Sequence, residues 1–355
     1  MMFNADNIDD RNIVEILSRH NATVSLFTTN KELERLNLNK GHSVKGARRI
    51  YLSPVLSIEC SMVDIQKFAK NGYRLAVKRF VNVMERQFNR GLLTNFYNNL
   101  QTLEIGRGKF GIRNFFTKRN TVGTYNAKEN RIKIDRKYEN SIYHELMHMS
   151  SSKYINGIYY SGFKQYSEFD DLGSFGRGLN EGYTQFMIEK YFLDSNGFSY
   201  VYETRMAQHI EEIVGRYRME DLYLNADLNG LVKSLQMYAT EKDILDFIAN
   251  MDLFSDYVNN KKYRKEKKKE ISLLFEKINV FIYGTYINKM KGLYSSGMYS
   301  FNDITKELVN FRNSLMVGLK IDTIGVDERR INSLLNGMCA DALCECEQIN
   351  KGRKR

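Results

Sequence analysis

The stretch Ser141-Ile142-Tyr143-His144-Glu145-Leu146-Met147-His148-Met149-Ser150 decides how this chain is read. Two imidazoles four positions apart fall on one face of a helix, one turn from each other. That spacing lets both rings reach a single metal ion, at about 2.0–2.1 Å for zinc. Glu145 stands beside such an ion without having to ligate it, placed to take a proton from a bound water. Ile142, Leu146 and Met149 recur at helical spacing and predict a buried stripe on a different side from the imidazoles. Asn140 or Ser141 is the expected N-cap.

Upstream, Thr121-Val122-Gly123-Thr124-Tyr125, a polar turn over Asn126–Asn130 and Arg131-Ile132-Lys133-Ile134-Asp135 predict a hairpin. Ile132 and Ile134 alternate with charged neighbours, as in a half-buried strand. A strand there could hold an extended peptide by backbone pairing. Downstream, a zinc enzyme needs a third protein ligand and one open position. Glu168, Asp170, Asp171 and Glu181 are the nearest acids, and no His follows at the spacing HExxHxxGxxH. Around Glu181, the residues Leu179, Tyr183, Phe186 and Met187 predict a second amphipathic helix, starting near Asn180 and placing Glu181 in its first turn.

The motif HExxH followed by Asn180-Glu181-Gly182-Tyr183-Thr184 resembles the gluzincin class of zinc metallopeptidases, over residues 120–210. The resemblance implies a zincin-like unit with its substrate-binding edge strand in the hairpin before the motif helix. It implies one Zn2+ per chain, His144, His148 and Glu181 as ligands, and Glu145 as general base. Some gluzincins carry an Asp on the turn after the ligand Glu, where it orients a zinc-bound imidazole. Thr184 and Gln185 occupy that turn here, and either could accept the imidazole N–H instead. Amide hydrolysis at such a centre needs a further donor for the oxyanion, a Tyr or His outside the metal shell. Tyr200, Tyr202 and His209 are the candidates, on the segment beyond the Glu181 helix.

Composition bounds the rest. The chain has 355 residues, 43% of them hydrophobic, enough for one large or two moderate cores. No segment has the unbroken apolar run of a membrane helix, and the opening Met1–Asp10 lacks an apolar signal region, so a cytoplasmic location is expected. Cys60 stands apart from Cys339, Cys344 and Cys346, whose spacing is not that of a zinc finger; reduced thiols on a helical tail are expected. A helical opening is expected near Asn12–Leu17, helices between Ser61 and Leu100, strands between Leu103 and Asp135, and mainly helices from Ser141 to about Tyr257.

The fold expected is thus α+β and predominantly α-helical, organised as an N-terminal mainly helical region (1–102), a zincin-like catalytic unit (103–260) and a helical C-terminal region (261–355). The net charge is +11, much of it in Lys261–Glu270 and the tail Lys351–Arg355. The former run reads as an exposed helix or a linker. A basic surface can bind nucleic acid or another anionic partner, so the rival to a zinc peptidase acting on a peptide or protein is a non-enzymatic basic helical binding protein. A peptidase specific for one partner protein is a third possibility. No nucleic-acid recognition motif is present.

Overall fold

The computed structural model describes residues 50–52, 56–58, 67–68, 72–108, 110, 122–167, 173–192 and 200–353. Glu168, Asp170, Asp171, Cys60 and the opening at Asn12–Leu17 lie outside the described residues. The chain is α+β and predominantly helical, and it forms two compact units. One comprises residues 1–109 and 122–153, the other 110–121 and 154–355.

In the first unit, β1 (Ile50–Leu52) and β2 (Leu56–Ile58) form an antiparallel pair. Helix α1 (Arg74–Gln87) buries Val77, Phe80, Val81 and Met84, a stripe at spacings of three and four residues. Helix α2 (Thr94–Thr102) adds Phe96, whose ring lies 5.8 Å from that of Phe80. Strands β3 (Glu104–Arg107), β4 (Gly123–Asn126) and β5 (Arg131–Ile134) form a sheet in the order β3-β5-β4. The expected hairpin is β4–β5, antiparallel, with Ile132 and Ile134 buried and Lys133 exposed. Its turn closes on Asn130, whose left-handed φ of 45° suits asparagine. β3 joins β5 in parallel, so β4 lies at the sheet's edge among the described strands.

A 3-10 turn (Arg136–Ser141) leads into α3 (Ile142–Ser150), the helix of the HExxH motif. Ile142, Leu146 and Met149 are buried as the periodicity requires. The cap differs from expectation. Ser141 holds the N-cap position, but its hydroxyl donates to the Tyr138 carbonyl rather than accepting from the helix. The preceding 3-10 turn already draws the chain into helical geometry there, which turns the hydroxyl back along the chain.

The region after α3 is not immediately helical. β6 (Ser152–Ile155) carries the chain from one unit to the other, and β7 (Ile158–Ser161) and β8 (Lys164–Ser167) complete a second three-stranded sheet. The turn between β6 and β7 is Asn156-Gly157, both with positive φ, the strongest short-range hairpin signal a sequence can carry.

Beyond β8 the described chain is almost entirely helical. Its helices are α4 (Arg177–Tyr191), α5 (Val201–Val214), α6 (Arg216–Leu224), α7 (Leu228–Leu235) and α8 (Glu241–Val258). They continue as α9 (Tyr263–Glu266), α10 (Lys268–Ser295), α11 (Phe301–Ser314) and α12 (Glu328–Arg353). Asp227 caps α7, Thr240 caps α8, and Ser300 with Asp303 forms a capping box on α11. The basic run is helical rather than a linker: Lys261, Lys262, Lys265, Lys268 and Lys269 are exposed around α9 and the start of α10, and Ile271 returns to the core. Cys339, Cys344 and Cys346 are free thiols on α12, the first and last buried. No described helix is long and apolar enough to cross a membrane.

Candidate metal centre

On α3 the two motif imidazoles come together edge to face. Their ring centroids are 4.7 Å apart at 81°, and the two Nε2 atoms are 3.0 Å apart. Two ligands at about 2.05 Å from a tetrahedral zinc stand about 3.3 Å from each other, so the pair is close to the separation that one shared ion requires. A single shared proton would suit the same separation, one ring donating and the other accepting.

Glu145 and His148 are each 7% exposed, which shields both from bulk water. Glu145 lies against the edge strand. A Cβ built on Gly123 of β4 would fall 2.8 Å from Glu145 Oε1 and 3.1 Å from its Cγ. The far end of α3 is held by Asn99 of α2, whose Nδ2 donates to the carbonyls of Met149 (2.8 Å) and Ser152 (2.7 Å). Asn130, at the hairpin turn, in turn donates to the Asn99 carbonyl at 2.6 Å. The hairpin, α2 and the motif helix are thus tied by two asparagines, and the Met149 carbonyl in the last turn of the helix gains the partner it lacks within it.

Glu181 sits on α4, and the start of this helix corrects the sequence reading. It begins at Arg177, not near Asn180, which places Glu181 in the second turn. Gly176, in left-handed geometry, offers no side-chain cap; Asp252 of α8 supplies one, accepting from the N–H groups of Gly176 (2.8 Å) and Gly178 (2.6 Å). Burial pushes the Asp252 carboxyl up to about 6, against the lowering effect of those two donors and of Arg177. Arg177 pairs with Asp256, and Glu181 adds to the negative charge around it. Against its burial, this charge holds the guanidinium above its ordinary range.

Two glycines let α4 pack without side chains in the way. Gly178 lies against the Met251 carbonyl of α8, and Gly182 against the Glu203 carbonyl of α5. Glu203 is fully buried and accepts from Asn259 Nδ2 at 2.6 Å. Burial raises its carboxyl above the ordinary range, and the Glu181 charge adds to that. Asn180, beside Glu181, accepts from the Phe163 N–H at 3.0 Å, and Phe163 inserts from the β7–β8 turn against Tyr183 and Tyr223. Both neighbours of Glu181 are therefore fixed.

One donor atom from each of His144, His148 and Glu181 lies within 4.8 Å of the other two, a set that could hold a metal ion. Two imidazoles and a carboxylate are a donor set that zinc accepts, leaving a fourth tetrahedral position open. Thr184 donates to the Asn180 carbonyl (2.7 Å) and shares a hydrogen bond with Tyr223 (2.6 Å); Gln185 donates to Glu189 (3.1 Å).

The three oxyanion candidates stand in different surroundings. The Tyr202 hydroxyl donates to the Lys320 carbonyl at 2.9 Å. His209 is 1% exposed, packs 5.0 Å from the Phe311 ring, and its Nε2 has no hydrogen-bond partner among the described residues. Tyr200, at the start of α5, holds a left-handed φ of 58°, uncommon outside glycine and asparagine. Sequence reasoning missed Gly123, Asn99 and Asp252. Gly123 stood in the quoted strand as a residue of low strand propensity, the one local signal among the three.

Neither a protein-family model, nor a curated protein, nor a solved structure matches the chain.

Proposed function

We propose that the chain is a zinc-dependent, gluzincin-like peptidase, with His144, His148 and Glu181 as metal ligands and Glu145 as general base. The observation that carries this reading is the convergence of those three donor sets within 4.8 Å beside a buried glutamate. When bound by these residues, zinc would supply Lewis-acid activation of a carbonyl and of a water. Glu145 would accept a proton from the attacking water at its carboxylate and pass it to the leaving amine. The edge strand β4 has backbone groups to pair with an extended peptide, which orients the scissile bond. Of the three oxyanion candidates we carry forward Tyr200, on the ground of its left-handed backbone at the start of α5. A backbone outlier such as Tyr200 is where a functional constraint is first to be sought.

The test is metal content by elemental analysis, with wild type beside His148→Ala and Glu181→Ala. Near one zinc per chain in wild type, sharply reduced in both variants, is the expected result. A folded wild type without zinc after incubation with the ion would leave the basic binding protein, whose affinity for nucleic acid should fall steeply with salt. Zinc lost from His148→Ala but kept by Glu181→Ala would place the third ligand elsewhere.

A further inference from the structure

Gly123 stands where the fold has no use for a glycine. It is the first residue of β4, paired with Ile134, and its φ is not in the left-handed region. An alanine would suit its backbone and lower the conformational cost of ordering the strand. What it could not do is share the space with Glu145. Its Cβ would lie 2.8 Å from Glu145 Oε1, 3.1 Å from Glu145 Cγ and 3.0 Å from Ile134 Cδ1. Each of these atoms belongs to a side chain that can turn away, and none to the backbone. The clash would therefore be relieved by moving the Glu145 carboxylate, with a small adjustment of a terminal methyl.

We propose that Gly123 is a positioning residue for Glu145: its missing side chain reserves the volume in which the carboxylate is held. The proposal rests on Glu145 being the base of a metal centre. On that reading the edge strand shapes the centre as well as pairing with substrate. An alanine at 123 would leave the fold and the ligands intact and turn the base out of register. A displacement of about 1 Å is enough to reduce a proton transfer severely.

The probe is Co2+ in place of zinc, since its visible spectrum reports the pH-dependent ionisation at the metal without a known substrate. Five chains are loaded and titrated: wild type, Glu145→Gln, Gly123→Ala, Gly123→Ala/Glu145→Gln, and Gly106→Ala. Gly106 is a control on β3, where an added Cβ meets nothing within 4 Å among the described residues. The expected result is full cobalt occupancy in all five, with the apparent pKa moved by Glu145→Gln and moved in the same direction by Gly123→Ala. The double variant should match Glu145→Gln alone, because a residue acting through Glu145 has nothing left to act on. Gly106→Ala should follow wild type, and the melting temperature of Gly123→Ala should be no lower than wild type.

A wild-type titration in Gly123→Ala overturns the inference while leaving the metal centre standing. So does an undiminished effect of Gly123→Ala in the Glu145→Gln background, or a Gly123→Ala chain that fails to fold, since either makes Gly123 a packing residue. A wild type that takes up no cobalt overturns the metal reading itself, and the inference with it. Cobalt bound normally, with Glu145→Gln titrating as wild type, would remove Glu145 from the role of base.

Discussion

At the scale of single residues, the chain separates two uses of glycine that look alike in sequence. At Gly123 the space is bounded by side-chain ends; at Gly182 it is bounded by the backbone carbonyl of Glu203. A methyl group at 182 can be accommodated only by moving α4 away from α5. Gly182→Ala is expected to cost about 1–3 kcal/mol, the usual range for overpacking a tight interface. It should also weaken metal binding, because Glu181 is the preceding residue. Chemical denaturation beside a zinc titration checks both effects, and unchanged stability would show that the two helices can part freely. The motif residues themselves were legible because their signal is local: His144, Glu145 and His148 need only a helix. Glu181 was legible through its neighbours, Asn180 and Gly182, and the resemblance they carry. Asn99 and Asp252 were not, since each acts on a backbone group distant in sequence and nothing nearby marks it.

Among the elements, α4 depends most on a remote partner. Asp252 caps it from α8, and burial pushes that carboxyl from 3.8 up to about 6. The folded state thus holds the proton more tightly than the unfolded chain does. The stability contributed by the group is present in full below about pH 4 and is lost as pH rises to about 6. Asp252→Asn removes this titration. The stability of wild type relative to the variant should therefore fall across that window, by at most about 3 kcal/mol. Urea midpoints measured at intervals from pH 4 to pH 7 check it, and a constant difference would refute it. The element boundaries show where local signals suffice. Alternation fixed the β4–β5 hairpin, and the stripe of Ile142, Leu146 and Met149 fixed α3. The start of α4 was misread because its cap lies 76 positions along the chain. The β6–β8 sheet was passed over although Asn156-Gly157 announces its first turn.

For the whole molecule, the α+β and mainly helical class followed from composition and periodicity, whereas the division into two units did not. A ligand that binds only the folded chain stabilises it by mass action, so zinc at one hundred times its Kd should add about 2.7 kcal/mol. Thermal melts with zinc, and again after chelation, should differ by several degrees. Glu181→Ala should show no such difference. Equal melting temperatures for zinc-loaded and chelated wild type would count against a metal held by the folded state.

The distance in sequence between α4 and its cap also sets an order of events in synthesis. A ribosome adds about 5–20 residues per second, so Asp252 is joined to the chain about 4–15 s after Gly178. Over that interval the nascent chain already carries His144, Glu145 and His148, while the helix bearing Glu181 begins with two N–H groups still awaiting their acceptor. The start of α4 is thereby completed only once residue 252 has been made, and a chain truncated before it should hold this helix less firmly.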